Sequence, residues 1–164
     1  MTDQTNRDDA AKITELIESS NDMAMFTTRA PDGTLTSRPM ALQKAECEGD
    51  LWFFAARSSG KMDHIDQDPQ VNVTFGSAST WVSFTGTASL VNDDAKKQEL
   101  WNSAVEAWFP EGPDDDDVIL VKVNGDSAEY WDTPGGRIAT ALSFAKAKVT
   151  GEPYEGGENE KVDL

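Results

Sequence analysis

"LWFFAARSSGKMDHIDQDP", residues 51–69, decides how the rest of the chain is read. An apolar, aromatic-rich run stops at Arg57, Ser58, Ser59, Gly60 and Lys61, and a short polar segment follows before Pro69. The run has the composition of a strand, and "KMDHIDQ" that of a short helix stopped near the proline. Between them lies a small, basic, hydroxyl-bearing turn. Ser58 and Ser59 offer hydroxyl donors and Gly60 allows close backbone approach. Lys61 sets a compact positive charge beside the free N–H groups of a helix start. Such a turn is either an anion cradle or an ordinary solvated loop, and on its own it favours the loop.

Upstream, "MAMFTTR" and "LTSRPMALQ" flank "APDGT", whose Pro-Asp-Gly predicts a hairpin, and "DLWFFAA" is a third strand. Downstream, "VNVTFG" and "TWVSFTGTASLV" are two more strands, and "VILVKV" and "AEYWD" are expected to pair across "NGDS" as a final hairpin. Helical spacing predicts an amphipathic helix over 8–19, capped by Asp8 or Asp9. A second is predicted over 93–109, with Leu100, Trp101, Ala104, Val105 and Trp108 on one face and both tryptophans in the core. A third is expected after "TPGG", from 137 to about 148. The acidic loop "PEGPDDDD" reads as solvated surface. Residues 1–150 form the expected single domain, and 151–164 a polar, Gly-rich tail expected to be loosely ordered. Seven or so short strands with few helices point to a mainly β fold, an antiparallel barrel with helices packed outside.

Composition removes several function classes. The chain has 164 residues, 38% hydrophobic and 27% charged, with 30 acidic against 14 Lys and Arg, a formal net charge of −16. Phosphate backbones are repelled at long range, which disfavours nucleic acid as a partner. No run approaches the roughly 18 apolar residues of a membrane span, and the first residues lack the apolar stretch of a secretory signal. With one cysteine an internal disulfide is excluded, and the default address is cytoplasmic. Cys47 lies among Glu46, Glu48 and Asp50, which disfavour its thiolate. One His and one Cys cannot build an ordinary zinc site, and a Ser-His-Asp triad would rest on His64 alone. "SSGK" is not a phosphate-binding P-loop, because Ala55 and Met62 stand where that motif needs Gly and Ser or Thr. So acidic a chain must concentrate its few cations to hold a phosphorylated ligand, and its arginines are Arg7, Arg29, Arg38, Arg57 and Arg137. Alternation puts Arg38 and Met40 on the face opposite Pro39 and Ala41. Trp81 and Trp131 fall at strand ends beside turns, where flat rings can border a planar ligand.

Taken in order, "TSRPM", "GDLWFFAARSSGKMDHIDQDPQVNVTF", "WVSFTGTASLV", "LWNSAVEAWFPEGPDDDDVILVKV", "AEYWDTPGG" and "GENEKVDL" resemble the flavin-binding split-barrel proteins related to pyridoxamine 5'-phosphate oxidase, closest to their general stress protein 26 branch. The resemblance implies a six- to seven-stranded antiparallel split β-barrel. It also implies a homodimer with two flavin mononucleotide (FMN) sites made by both subunits; FAD or a deazaflavin is less expected, and the lone His64 disfavours haem. Carried over by position, Arg38 begins the segment beside the flavin, and the backbone of Pro39, Met40, Ala41 and Leu42 faces the ring or its ribityl chain. Phe54 and Ala55 contact the cofactor, and Ser59 and Lys61 match the phosphate-binding serine and lysine. A substrate-binding arginine falls near Arg137.

Several positions depart from the oxidase, which has arginine at Gly60, lysine at Gln43, glutamine at Trp81 and histidine at Ala139. The expected function is FMN-dependent oxidoreduction of a small molecule with a nicotinamide nucleotide as donor. The alternative is a flavin-binding or sensing protein without turnover. Oxidation of pyridoxamine 5'-phosphate is not expected, and neither a catalytic residue nor a metal site is assigned.

Overall fold

The computed structural model describes residues 2–20, 22–46, 49–133 and 157–164. The strands are β1 (Met23–Arg29), β2 (Leu35–Ala45), β3 (Asp50–Ala56), β4 (Gln70–Gly76), β5 (Thr80–Val91), β6 (Val118–Asp132) and β7 (Glu158–Asp163). The helices are α1 (Thr2–Glu18), α2 (Lys61–Gln67), α3 (Asp94–Leu100) and α4 (Ser103–Trp108). All strand pairs are antiparallel, in the order β3-β2-β1-β4-β5-β6-β7, and β3 also pairs with β6. That last pairing closes six strands into a barrel and leaves β7 as an addition.

The barrel consists of two three-stranded meanders, β1-β2-β3 and β4-β5-β6. One junction between them is β1 against β4, with Met25–Thr27 facing Asn72–Thr74. The other is the full length of β3, Asp50 to Ala56, against Asn124 to Val118 of β6. The hairpin over "APDGT" forms as expected: the Ala30 N–H donates to the Thr34 carbonyl at 2.8 Å, and Gly33 takes a φ of 85°.

Inward positions of every strand build the core around Phe26, Phe53, Phe75, Phe84, Val73, Val82 and Val121. The buried face of α1 (Ile13, Leu16, Ile17) and Met62 and Ile65 of α2 join that core. β3 is buried on both faces, which is why it reads as a continuous apolar run. Its outward Trp52 and Phe54 pack under α3 and α4 with Leu100, Val105 and Leu120.

Four expectations are corrected. The helix over 93–109 is two helices. Trp101 is extended (φ −66°, ψ 135°) and Asn102 restarts the chain as the cap of α4, accepting from Ala104 and Val105 N–H. Asparagine competes with the helix by binding nearby backbone, which breaks the run. In consequence Trp101 meets Phe54 edge-on at 5.4 Å, while Trp108 leaves the core and is 77% exposed. "NGDS" makes no hairpin: β6 runs through it, with a register shift on β5 between Thr85 and Gly86, opposite Gly125. The tail is not loose over its last residues, since β7 pairs with Ser127–Asp132 and buries Val162. The acidic loop is not merely solvated, because Asp117 binds the turn after β3. The helix expected over 137–148, together with Arg137, Ala139 and Cys47, lies outside the described residues.

Candidate functional site

β2 and β3 pair only at one end, where Leu42 faces Phe53 and Ala45 faces Leu51, with a register irregularity between Leu42 and Lys44. Continued in register, Ala41, Met40 and Pro39 would meet Phe54, Ala55 and Ala56. They do not pair, and the barrel wall opens there. The six residues line a groove of about 400 Å³ between the two diverging edges. Proline inside a strand is tolerated at an edge, where its missing N–H leaves no partner unsatisfied, so Pro39 marks the opening in the sequence itself.

Across the groove stands α4, contributing Ala104, Val105 and Trp108. Gln43 ties this wall to β2: its amide nitrogen donates to the Ala41 carbonyl (3.1 Å) and its oxygen accepts from Asn102 (2.8 Å). With both ends of that amide engaged, the α4 side of the groove is an apolar slot suited to a flat ring.

Lys61 lines the groove at the head of α2, and its Nζ donates to Ser59 Oγ at 2.9 Å. Arg38, on the inward face of β2 opposite Phe26, donates from Nη1 to Thr28 Oγ1 at 2.9 Å. Neither cation forms an ion pair among the described residues. Burial holds Lys61 below the usual lysine range and the charge of Arg38 adds to the effect; burial also lowers the pKa of Arg38. Lys61 in the wall of the slot and Arg38 beside it, half-buried and uncompensated, favour an anionic group there.

The remaining cradle is narrower than the sequence implied. Ser58 spends its N–H (2.7 Å) and hydroxyl (2.9 Å) on the Asp117 carboxylate. Arg57 turns its Nε to the Asp116 carbonyl at 3.1 Å. The available donors at the pole are those of Ser59, Lys61 and Arg38.

The structure thus brings Pro39, Met40, Ala41, Phe54, Ala55 and Lys61 around one groove, with Ser59 bonded to Lys61. Arg38 stands behind the wall and Leu42 packs against the core. Trp81 and Trp131 lie elsewhere. They face each other across β5 and β6, 52% and 40% exposed, with the Trp81 ring lying over Gly76. Met23, Met25 and Leu35 are further exposed apolar side chains, and Met23 also lines the groove. The sequence reading missed Met23, Ala56 and the whole α4 wall, for which Asn102 as a helix cap was the available signal.

Comparison with known proteins gives four matches. Residues 8–155 match the family model described as pyridoxamine 5'-phosphate oxidase like. The chain is 34% identical over 146 residues to protein bli-3 of Neurospora crassa, covering 82% of this chain and 70% of that one. Among solved structures, it is similar to a general stress protein 26 candidate from Jannaschia sp. CCS1 (TM-score 0.77, 24% identity, all of both chains). It is also similar to the general stress FMN/FAD binding protein of Xanthomonas citri (TM-score 0.62, 23% identity, 79% of this chain and 89% of that one).

Proposed function

Since the chain belongs to the pyridoxamine 5'-phosphate oxidase-like family, we propose that it binds FMN in the opening between β2 and β3. The observation that carries this reading is an apolar slot with one uncompensated cation, Lys61, in its wall and a second, Arg38, beside it. A flavin phosphate would take Lys61, Ser59 and Arg38, and its ring would lie along the open edges of 39–41 and 54–56. Bound there, a flavin supplies one- and two-electron transfer. The chain's own residues hold the phosphate, exclude water with Met40, Phe54 and Val105, and leave open edge backbone for the polar rim of the ring.

The site is proposed to be completed by a second copy. Trp81 and Trp131 are exposed and do not line the protomer's own groove. They can border the same ligand only if a partner brings them there. Uncovered apolar faces of this kind mark association surfaces.

On this basis the activity is redox chemistry on a small molecule with NADH or NADPH as donor, in the cytoplasm. A second reading, a flavin carrier or sensor without turnover, is favoured by one specific feature. Among the described groove-lining residues, Lys61 is the sole titratable side chain, and with the proposed phosphate engaging it no other acid–base group of that lining stands ready for a substrate. Titration with FMN, followed by anaerobic addition of NADH or NADPH, tests both. Flavin quenching and reduction by the nucleotide support a reductase. Quenching with reduction by dithionite alone supports the carrier, and no quenching refutes the FMN site. Neither reading includes oxidation of pyridoxamine 5'-phosphate.

A further inference from the structure

Behind the anion pole lies a hydrogen-bonded chain that the reading of the groove does not use. Thr28, on β1, is 1% exposed, and its Oγ1 accepts from Arg38 Nη1 at 2.9 Å. The same oxygen lies 2.9 Å from His64 Nδ1, on α2. The guanidinium has only donors, so the Thr28 proton cannot go there. Among the described residues no third partner takes it, and a buried hydroxyl proton left without an acceptor is costly. The proton therefore goes to Nδ1, which must carry a lone pair, and the imidazole proton sits on Nε2.

The geometry points to Thr28 and His64 as positioning residues that aim Arg38 at the phosphate of the ligand. A guanidinium on a long side chain has many rotamers, and ordering it costs entropy that a fixed acceptor offsets before the ligand arrives. Thr28 is that acceptor, and His64 keeps it one: by taking the hydroxyl proton, Nδ1 leaves the oxygen's lone pairs facing Arg38. The inference deepens the proposed flavin site and rests on it for the identity of the anion.

His64 is the single histidine, so the tautomer can be read without ambiguity. In the ¹⁵N-histidine-labelled full chain without ligand, at about pH 8, above an ordinary imidazole pKa, the expected spectrum shows pyridine-type Nδ1 and pyrrole-type Nε2. Protonated Nδ1 overturns the chain. In binding, Thr28→Val is expected to weaken FMN about tenfold, the size of one charge-assisted hydrogen bond, while riboflavin, lacking the phosphate, is unchanged. Thr28→Ser is expected to restore FMN affinity. Unchanged FMN affinity in Thr28→Val, or equal losses for FMN and riboflavin, would overturn the positioning role. A wild-type chain that binds neither flavin refutes the reading of the groove instead, and the tautomer then decides the hydrogen-bonded chain alone.

Discussion

At the scale of the residue, Lys61 carries the sharpest expectations. As the point charge of the anion pole, its loss in Lys61→Ala should weaken FMN by about 1.5–3 kcal/mol, the range for a hydrogen bond to a charged group. Riboflavin should be nearly indifferent, and equal weakening of both, measured by fluorescence titration, would remove Lys61 from the phosphate. Its lowered pKa adds a pH dependence of definite sign. Burial and Arg38 make the free protein release this proton below the ordinary lysine range, whereas a bound phosphate would retain it. Above the free-state pKa, binding must therefore take up a proton, and FMN affinity should fall by up to about tenfold per pH unit. Stability of the unliganded chain should move oppositely. The unfolded state holds the proton more tightly than the native one, so unfolding free energy rises with pH across the same window. Riboflavin shares the ring and serves as the control for its own titration, so a pH slope common to both ligands would exonerate Lys61.

At the scale of the element, Gly86 and Gly125 hold the bend that lets β6 serve three partners, β3, β5 and β7. A Cβ on Gly86 would meet the Asn124 carbonyl, and one on Gly125 would come within 2.6 Å of the Phe84 ring. Gly86→Ala should cost on the order of 1–3 kcal/mol, as overpacking does, seen as a lower urea midpoint at unchanged slope; a change below about 0.5 kcal/mol would mean that the strands give way freely. Gly125 shows why the sequence was legible only in part. "NGDS" carries a turn signal, but Asn-Gly marks a hairpin and a bulge with the same letters, and only the partner strand distinguishes them. The break at Asn102 lay hidden because the apolar spacing on both sides of it continues one helical pattern, while the cap is a local competitor to that pattern. β7 has one buried apolar residue, Val162, so it has no period of its own; the open edge of β6 recruits it. The barrel was legible because its other strands do carry periodicity. In the site, the turn after β3 was legible from its chemistry, but the loss of Ser58 to Asp117, 59 residues away, is a tertiary event that no local reading contains.

At the scale of the whole molecule, assembly and cofactor site are expected to be one property. Sedimentation should give twice the chain mass at micromolar concentration, with Met23, Met25, Trp81 and Trp131 covered. Trp81→Glu places a charge on that face and should yield monomers that bind FMN weakly, although Trp81 lines no part of its own protomer's groove. Monomers that bind FMN as tightly as the wild type would separate the two. The closure of the barrel has a further consequence, in time rather than in space. Each meander is made from neighbours in the chain and can form early, whereas the β3–β6 seam joins Asp50 to Asn124 across 74 residues, and such pairings wait on loop closure. Pulsed hydrogen exchange during refolding should therefore protect the β4–β5 amides before those of the seam. Between those two moments the chain would be two open sheets with four bare edges, and its net charge of −16 would then act as a clock-keeper, holding one chain's edges away from another's until its own have met.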